Sequence, residues 1–343
     1  MAMIVCQDIV ISFLLVIRNE CGYVRECIQN ILDQTLDKTA YEIIVVDGMS
    51  TDGSRKIIKE IIGSNPKSSV ALLDNPKLLL ASVWNVGVHA ARGEFVIRID
   101  AHAGIPNDFL EQNLRVLREH PQATAVGGVI QTIGRGFWGQ AIAAALSCPF
   151  GVGGSRFRIG GSPCQTDTAV FALYRRETLL KIGGFDERLR RNQDVACHSR
   201  IKAQGGTFYF DPAIKSTYFC RTSIPSLAKQ MYLNGHWLPL LSKHDIGKVF
   251  ALRYFVPMSF VISLLGLATL SVWFGWAGWL LMAMMAVYFA AAMKFAFVPR
   301  PHLHIAQKAV LPLIFLTMHL AYGSGWLTGL LRLPFYRPKP FAR

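Results

Sequence analysis

The stretch Glu42-Ile43-Ile44-Val45-Val46-Asp47-Gly48-Met49-Ser50-Thr51-Asp52-Gly53 decides how the rest of the chain is read. A short apolar run ending in a carboxylate has the pattern of a buried strand. The Gly, Ser and Asp residues after it mark a turn. Asp52 then stands where it can cap a helix over Ser54–Ile62. Outward from this point the pattern repeats. Ile9–Ile17 reads as a strand, and Tyr23–Gln34 as a helix with Val24, Cys27, Ile28, Ile31 and Leu32 on one face. Ser69–Leu73 reads as a third strand, Leu79–Ala91 as a helix, and Glu94–Asp100 as a fourth strand that again ends in a carboxylate. Such alternation predicts an α/β fold with a mainly parallel sheet flanked by helices. Ligands of these sheets bind beyond the carboxyl ends of the strands, where Asp47 and Asp100 stand. No Gly-rich phosphate loop follows the first strand; Arg18-Asn19-Glu20 follows it instead. A bound nucleotide would therefore be held by carboxylates, a metal and basic side chains.

The composition separates a second region. Of 343 residues, 52% are hydrophobic and 17% charged, with Lys+Arg 36 against Asp+Glu 22 and a net charge of +14. That excludes a disordered chain. The 7 cysteines, odd in number and without paired spacing, exclude a disulfide scaffold and read as small buried hydrophobes. Beyond residue 250 there is no Asp or Glu, and Tyr254–Met293 carries no charge at all. Nucleic-acid binders set Lys and Arg among polar residues on one face. Here the cations lie between long apolar runs, so a membrane is expected and nucleic acid is not.

The uncharged run is long enough for two spans, about 255–274 and 277–298, at roughly 20 residues per crossing. The break falls at Phe274-Gly275-Trp276, where Trp273, Trp276 and Trp279 suit an interfacial belt. A third span, 309–331, is interrupted by Pro312, His319, Gly323, Gly325 and Gly329, and either crosses or re-enters. Lys229, Lys243, Lys248 and Arg253 before the first span, and Lys294, Arg300 and Lys308 around the second loop, belong on the cytoplasmic side. Ile9–Ile17 is too short for an export signal and follows Asp8, so the N-terminal region stays in the cytoplasm. The expected organisation is an α/β domain over 1–225, an interfacial amphipathic segment over 226–253 and a membrane domain over 254–343.

Five motifs in order along the chain carry a family resemblance. Val16-Ile17-Arg18-Asn19-Glu20 closes the first strand, and Val45–Gly53 forms the Val-Asp-x-x-Ser-x-Asp-Gly turn. Asn85-x-Gly87 with Ala91-x-Gly93 precedes Arg98-Ile99-Asp100-Ala101-His102-Ala103, which occupies an Asp-x-Asp position. Gly183-Gly184-Phe185-Asp186-Glu187 precedes Gln193-Asp194, where the family usually has Glu-Asp. Over about residues 8–240 the chain resembles family-2 glycosyltransferases, which have the GT-A fold. The Asp-Ala-His-Ala form, Pro149–Gly154 and His319–Gly323 are similar to the membrane-bound transferases of bacterial exopolysaccharide assembly, of the succinoglycan type.

The resemblance implies a nucleotide-sugar donor, with UDP favoured, and a divalent cation, Mn²⁺ or Mg²⁺. Arg18, Glu20, Asp47, Ser50, Asp52, Asn85 and Asp100 would bind the donor, Asp47 accepting from the uracil N3–H. Asp100 and His102 would reach the metal, and an imidazole suits Mn²⁺ better than Mg²⁺. Asp194 would be the general base, with Asp186 and Glu187 positioning. Gln193 removes the usual second negative charge beside it. One base without a carboxylate nucleophile implies inversion. Arg156 and Arg158, in the Gly-rich loop Pro149–Gly161, either clamp phosphate or face solvent. Gln230 and Trp237 fall near the place of a Gln-x-x-Arg-Trp processivity motif that is not met, so transfer of a single sugar is expected. Leu227–Leu241 reads as an interfacial amphipathic segment or as a core helix. The expected acceptor is a polyprenyl-diphosphate-linked saccharide at the cytoplasmic face of a bacterial inner membrane. The alternatives are transfer to polyprenyl monophosphate and a non-catalytic subunit of a polysaccharide assembly complex. A soluble nucleotidyltransferase is disfavoured by the spans and by the missing phosphate loop.

Overall fold

The computed structural model describes residues 9–66, 68–101, 103–244, 251–298 and 303–338. His102, Lys248 and Arg300 lie outside the described residues. The described chain forms two compact units. One takes residues up to Gln131 together with Gly160–Tyr218; the other takes Thr132–Ile159 together with Phe219–Pro338.

The first unit is built on a nine-stranded sheet: β1 (Ile11–Ile17), β2 (Tyr41–Asp47), β3 (Val70–Asp74), β4 (Phe95–Asp100), β5 (Ala103–Gly104), β6 (Ala125–Ile133), β7 (Cys164–Thr166), β8 (Leu173–Arg175) and β9 (Phe208–Phe219), the ends of β6 and β9 running on into the second unit. The order is β3-β2-β1-β4-β8-β6-β9-β5, with β7 beside β9. The expected parallel pairing holds for β3, β2, β1 and β4. Beyond β4, the pairs β4–β8, β6–β8, β5–β9 and β7–β9 are antiparallel. β1 and β2 are buried along nearly their whole length, the signature of strands covered on both faces. Helices Val24–Leu32, Ser54–Ser64 and Leu80–Ala90 connect the parallel strands.

The register aligns the functional strand ends. Ile17 pairs with Asp47, and Val16 with Asp100, so both carboxylates emerge at the carboxyl edge of the sheet on either side of β1. Gly93 is required at the opposite end of β4: a Cβ there would stand 2.7 Å from the Ser12 backbone nitrogen. Its N–H donates to the Ser12 hydroxyl, which donates to the buried carboxylate of Glu42.

Among the described residues, the second unit holds three helical stretches long and apolar enough to cross a membrane, Leu252–Leu270, Gly275–Ala296 and Ile305–Phe335, whose α-helical parts are Val256–Leu270, Gly275–Ala296 and Ile305–Arg332. Phe274 is the residue that precedes the second, at the expected break. The third runs through Pro312 without interruption and is 28 residues long in all, about 42 Å at 1.5 Å per residue. Helix Ile224–Leu240 lies along it at very short range. A Cβ at Gly325 would stand 2.1 Å from the Tyr232 carbonyl oxygen, one at Gly329 2.2 Å from that of His236, and one at Gly235 2.1 Å from that of Tyr322. The Thr328 hydroxyl sits between Tyr232 Oη at 2.9 Å and His236 Nδ1 at 3.0 Å. Small residues let two backbones meet, and polar side chains then bridge them. Leu227, Gly235 and Leu238–Leu241 of the expected interfacial segment are buried.

The two segments singled out as marks of a narrower group also meet. His319 Nε2 donates to the Phe150 carbonyl at 2.9 Å, and its Nδ1 accepts from Tyr288 Oη at 2.9 Å. The Phe150 ring packs among Tyr288, Phe295, Phe315 and His319.

Glycine-to-alanine substitution in an open helix position gains up to about 1 kcal/mol of helix propensity, whereas overpacking costs about 1–3 kcal/mol. Gly266, with open space around its Cβ position, supplies the control. Gly266→Ala is expected to leave the melting temperature in detergent unchanged or raised, and Gly325→Ala to lower it.

Candidate active site

A cleft of about 310 Å³ opens at the carboxyl ends of β1, β2 and β4. Arg18, Glu20 and Asp100 supply its charged lining, and Leu78–Leu80 its apolar wall. Leu78 has φ +57°, a conformation costly for a branched side chain, and is exposed with Leu79 and Leu80.

The floor is a turn network that joins two motifs. The Asn19 N–H donates to Ser50 Oγ at 2.9 Å, and Asn19 Oδ1 accepts from the Thr51 N–H at 2.8 Å. Asp52 accepts from the N–H groups of Cys21 and Ser54 and from the Ser54 hydroxyl. These bonds, the Ser54 hydroxyl first, hold its carboxyl below the usual carboxylate range. The N-cap of helix Ser54–Ser64 is Gly53, with φ +95°, and not Asp52 as expected; Asp52 stands one residue earlier, binds the first helical residue, Ser54, and pins the segment after β1. Ser50 does the same from the other side, donating its N–H and hydroxyl to Asp47.

Asp47 is 0% exposed. Its oxygens are engaged by Ser50 and by Arg55, whose Nη1 lies 2.6 Å from Asp47 and 2.5 Å from Asp74. Asp74 is the register partner of Asp47 on β3. Arg55 was not singled out in the sequence; nothing in its spacing from Asp47 signals the contact.

Asn85 is committed to a loop. Its Nδ2 donates to the Phe185 carbonyl at 2.9 Å and to Glu187 at 3.0 Å, while its Oδ1 accepts from the Phe185 N–H at 2.7 Å. That clamp holds the Gly183–Glu187 turn, in which Gly184 has φ +70° and Asp186 is bound by Arg188.

Arg98 is the residue that ties the site together. It lies two residues before Asp100 on β4 and is 6% exposed. Its guanidinium carbon lies 3.7 Å from the Trp84 ring centroid and 5.5 Å from that of Phe185. It forms an ion pair with Asp194, at the start of helix Gln193–Ala203. The Asp194 side chain keeps 39% of its exposure. One oxygen is thus held by Arg98 while the carboxylate remains open to solvent. Gln193 is buried and donates to the Leu189 carbonyl. The signal for Arg98 was an arginine inside an otherwise apolar strand, since a buried cation requires a partner.

One turn along from Asp194, His198 is buried between Thr168 Oγ1 at 2.8 Å from Nδ1 and Tyr174 Oη at 2.7 Å from Nε2. The two hydroxyls satisfy either neutral tautomer. Arg156, Arg158, Gln230 and Trp237 belong to the second unit. Arg156 is exposed, Arg158 donates to Thr132 Oγ1, and Trp237 packs edge-on to Tyr336.

Among the described residues no three His, Cys, Asp or Glu side chains converge as a metal site. A cation held jointly with phosphate oxygens and water needs only one or two protein carboxylates, and Asp100 in the cleft fits that requirement.

Comparisons with known proteins agree with this architecture. The mannosyltransferase PcManGT from Pyrobaculum calidifontis, solved with GDP-Man and Mn²⁺, superposes with a TM-score of 0.58 at 20% identity, over 95% of this chain and 87% of that one. The fold is thus the GT-A type. A model of the glycosyl transferase family 2 matches residues 12–183, and the chain belongs to that family and is a glycosyltransferase. The dolichyl N-acetyl-alpha-D-glucosaminyl phosphate 3-beta-D-2,3-diacetamido-2,3-dideoxy-beta-D-glucuronosyltransferase of Methanococcus voltae is 26% identical over 94% of this chain and 97% of its own length. The succinoglycan biosynthesis protein ExoA of Rhizobium meliloti (strain 1021) is 30% identical over 63% of this chain and 65% of its own length.

Burial first, with Arg98 adding to it and Asp194 opposing, lowers the His198 pKa to about 4 from 6.5. Between those values the unfolded chain binds a proton that the folded chain excludes. Stability is therefore unaffected by this group above pH 6.5 and falls as pH drops from 6.5 toward 4, by up to about 3 kcal/mol in total. Melting curves in detergent at pH 7.5 and 5.0 are expected to differ for the wild type, and to differ less for His198→Gln.

Proposed function

We propose that this chain transfers one sugar from a nucleoside-diphosphate sugar to a saccharide carried on a polyprenyl diphosphate, at the cytoplasmic face of the cell membrane. The observation that carries the reading is the pairing of Asp194 with Arg98, two residues from Asp100 on the strand that lines the cleft. The three apolar helices support a lipid-borne acceptor. So does the Methanococcus relative, whose name describes transfer to a sugar already on dolichyl phosphate rather than to the bare lipid phosphate.

The donor diphosphate occupies the cleft by Arg18 and Asp100, and the nucleobase lies toward the Asp47–Arg55–Asp74 edge. A divalent cation, Mn²⁺ or Mg²⁺, held by Asp100 together with the diphosphate, would stabilise the charge on the leaving group. By its place in the sequence, two residues after Asp100, His102 would share in holding that cation. The free oxygen of Asp194 takes the proton of the acceptor hydroxyl. That hydroxyl oxygen forms the new bond to the anomeric carbon as the bond from that carbon to the phosphate oxygen breaks. The nucleoside diphosphate leaves with the electron pair, and a single displacement inverts the configuration. Arg98 acts through Asp194, orienting it as the third member of a triad orients its base.

Purified enzyme is to be assayed with UDP- and GDP-sugars, Mn²⁺ or Mg²⁺, and either a short polyprenyl-diphosphate saccharide or polyprenyl monophosphate. One inverted sugar on the diphosphate-linked saccharide, abolished by a chelator, is expected. Transfer only to the monophosphate would replace the acceptor assignment, and no transfer or donor binding at all would overturn the reading.

Base catalysis contributes about 10²–10⁴-fold. Asp194→Asn is expected to lose that much in kcat, and Arg98→Met about 10–100-fold with donor KM unchanged; Arg98→Lys should recover part of it. In the Asp194→Asn background, Arg98→Met should cost no further activity. Asp194→Asn should also lower the melting temperature more than Arg98→Met, because it leaves a buried guanidinium without its counter-charge.

A further inference from the structure

We propose that an exposed aromatic and basic surface of the second unit docks on the anionic headgroups of the same bilayer that the apolar helices cross. The surface is made by Ile133, Arg135, Phe137, Trp138, Phe219 and Arg221. The Cys220 N–H donates to the Ile133 carbonyl at 2.9 Å, and the Cys220 thiol reaches the Gly139 carbonyl, so the two chain segments form one patch. Phe137 is 42% exposed and Trp138 38%, and their rings meet edge to face at 5.3 Å. Ile133 and Phe219 are exposed beside them. The Arg135 guanidinium lies 5.3 Å from the Phe219 ring centroid.

Two observations choose the occupant. The first is charge. Residues 132–159 and 219–244 contain no Asp or Glu, while Arg135, Arg156, Arg158, Arg221, Lys229 and Lys243 are all cationic. Such a surface is complementary to anionic lipid, whose surface potential attracts cations held close to the headgroups. The second is position. Gln307, in the first turn of helix Ile305–Arg332, is 1% exposed. Its Nε2 donates to the Phe137 carbonyl at 3.3 Å and to Gln140 Oε1 at 2.6 Å. The patch is thereby fastened to the end at which that apolar helix begins, beside Lys308. Trp and Arg favour this level of a bilayer, the ring among the headgroups and the cation at the phosphates. Leu227–Leu241, expected to be either an interfacial segment or a core helix, has its Gly235 face packed on the third helix.

The test uses the full chain in nanodiscs of phosphatidylcholine with or without phosphatidylglycerol. Trp138 emission is isolated as the difference between wild type and Trp138→Phe, whose unchanged melting temperature verifies the fold. Dibrominated lipid, with bromine near the headgroup end of the acyl chain, is expected to quench most of that difference emission, while aqueous iodide leaves it nearly untouched. Phosphatidylglycerol should strengthen the bromine quenching in wild type and not in Arg135→Gln/Arg221→Gln. Quenching by iodide and not by bromine would overturn the proposal. So would shielding from both, which indicates a protein partner or a second copy on this face. Neither readout depends on sugar transfer.

Discussion

The Arg98 guanidinium is out of water, and the arrangement of the site follows from how that charge is compensated. Two aromatic rings cover it, and one carboxylate neutralises it. Each of those partners comes from a different element: Trp84 from the helix before β4, Phe185 from the turn clamped by Asn85, and Asp194 from the helix beyond. A buried cation in a low-dielectric setting interacts strongly with any charge nearby. Asp100, on the same strand and the same face two residues on, shares that field. The strand that ends in Asp100 thus also presents the cation that fixes Asp194. Strand β4, the Gly-Gly-Phe turn and the Gln193-Asp194 helix start form one electrostatic unit rather than three motifs.

That coupling also shows how far the sequence could be read. The strands up to Asp100 were legible because each is a continuous apolar run bounded by turn residues, and the two carboxylates were legible because such strands end at the ligand edge. The far half of the sheet was less so. β9 carries Asp211, Pro212 and Lys215, which hide its alternation, and its partners β5 and β7, of two and three residues, are too short to show any period. Contacts between distant positions left no trace: Arg98 and Asp194 are 96 residues apart. The residue types of the turn network pointed to ligand binding, yet Ser50, Asp52 and Asn85 have hydrogen bonds to the protein itself that account for much of their polarity. Leu227–Leu241 was ambiguous because a helix facing lipid headgroups and one packed on a glycine-lined neighbour share an apolar stripe. The glycines that separate the two cases, Gly325 and Gly329, lie on the other helix.

The second unit is assembled from two stretches that are far apart in the chain. Phe150 and His319, which bond to one another, are separated by 169 positions. At 5–20 residues per second, the earlier stretch leaves the ribosome on the order of 10 s before its partner is made. During that interval Phe150, with the alanine-rich helix Gly136–Leu146, has no companion helix on which to settle. The catalytic fold must close around an insertion that is still waiting. The apolar side chains around Phe150 thus spend that interval without the helix they finally pack on.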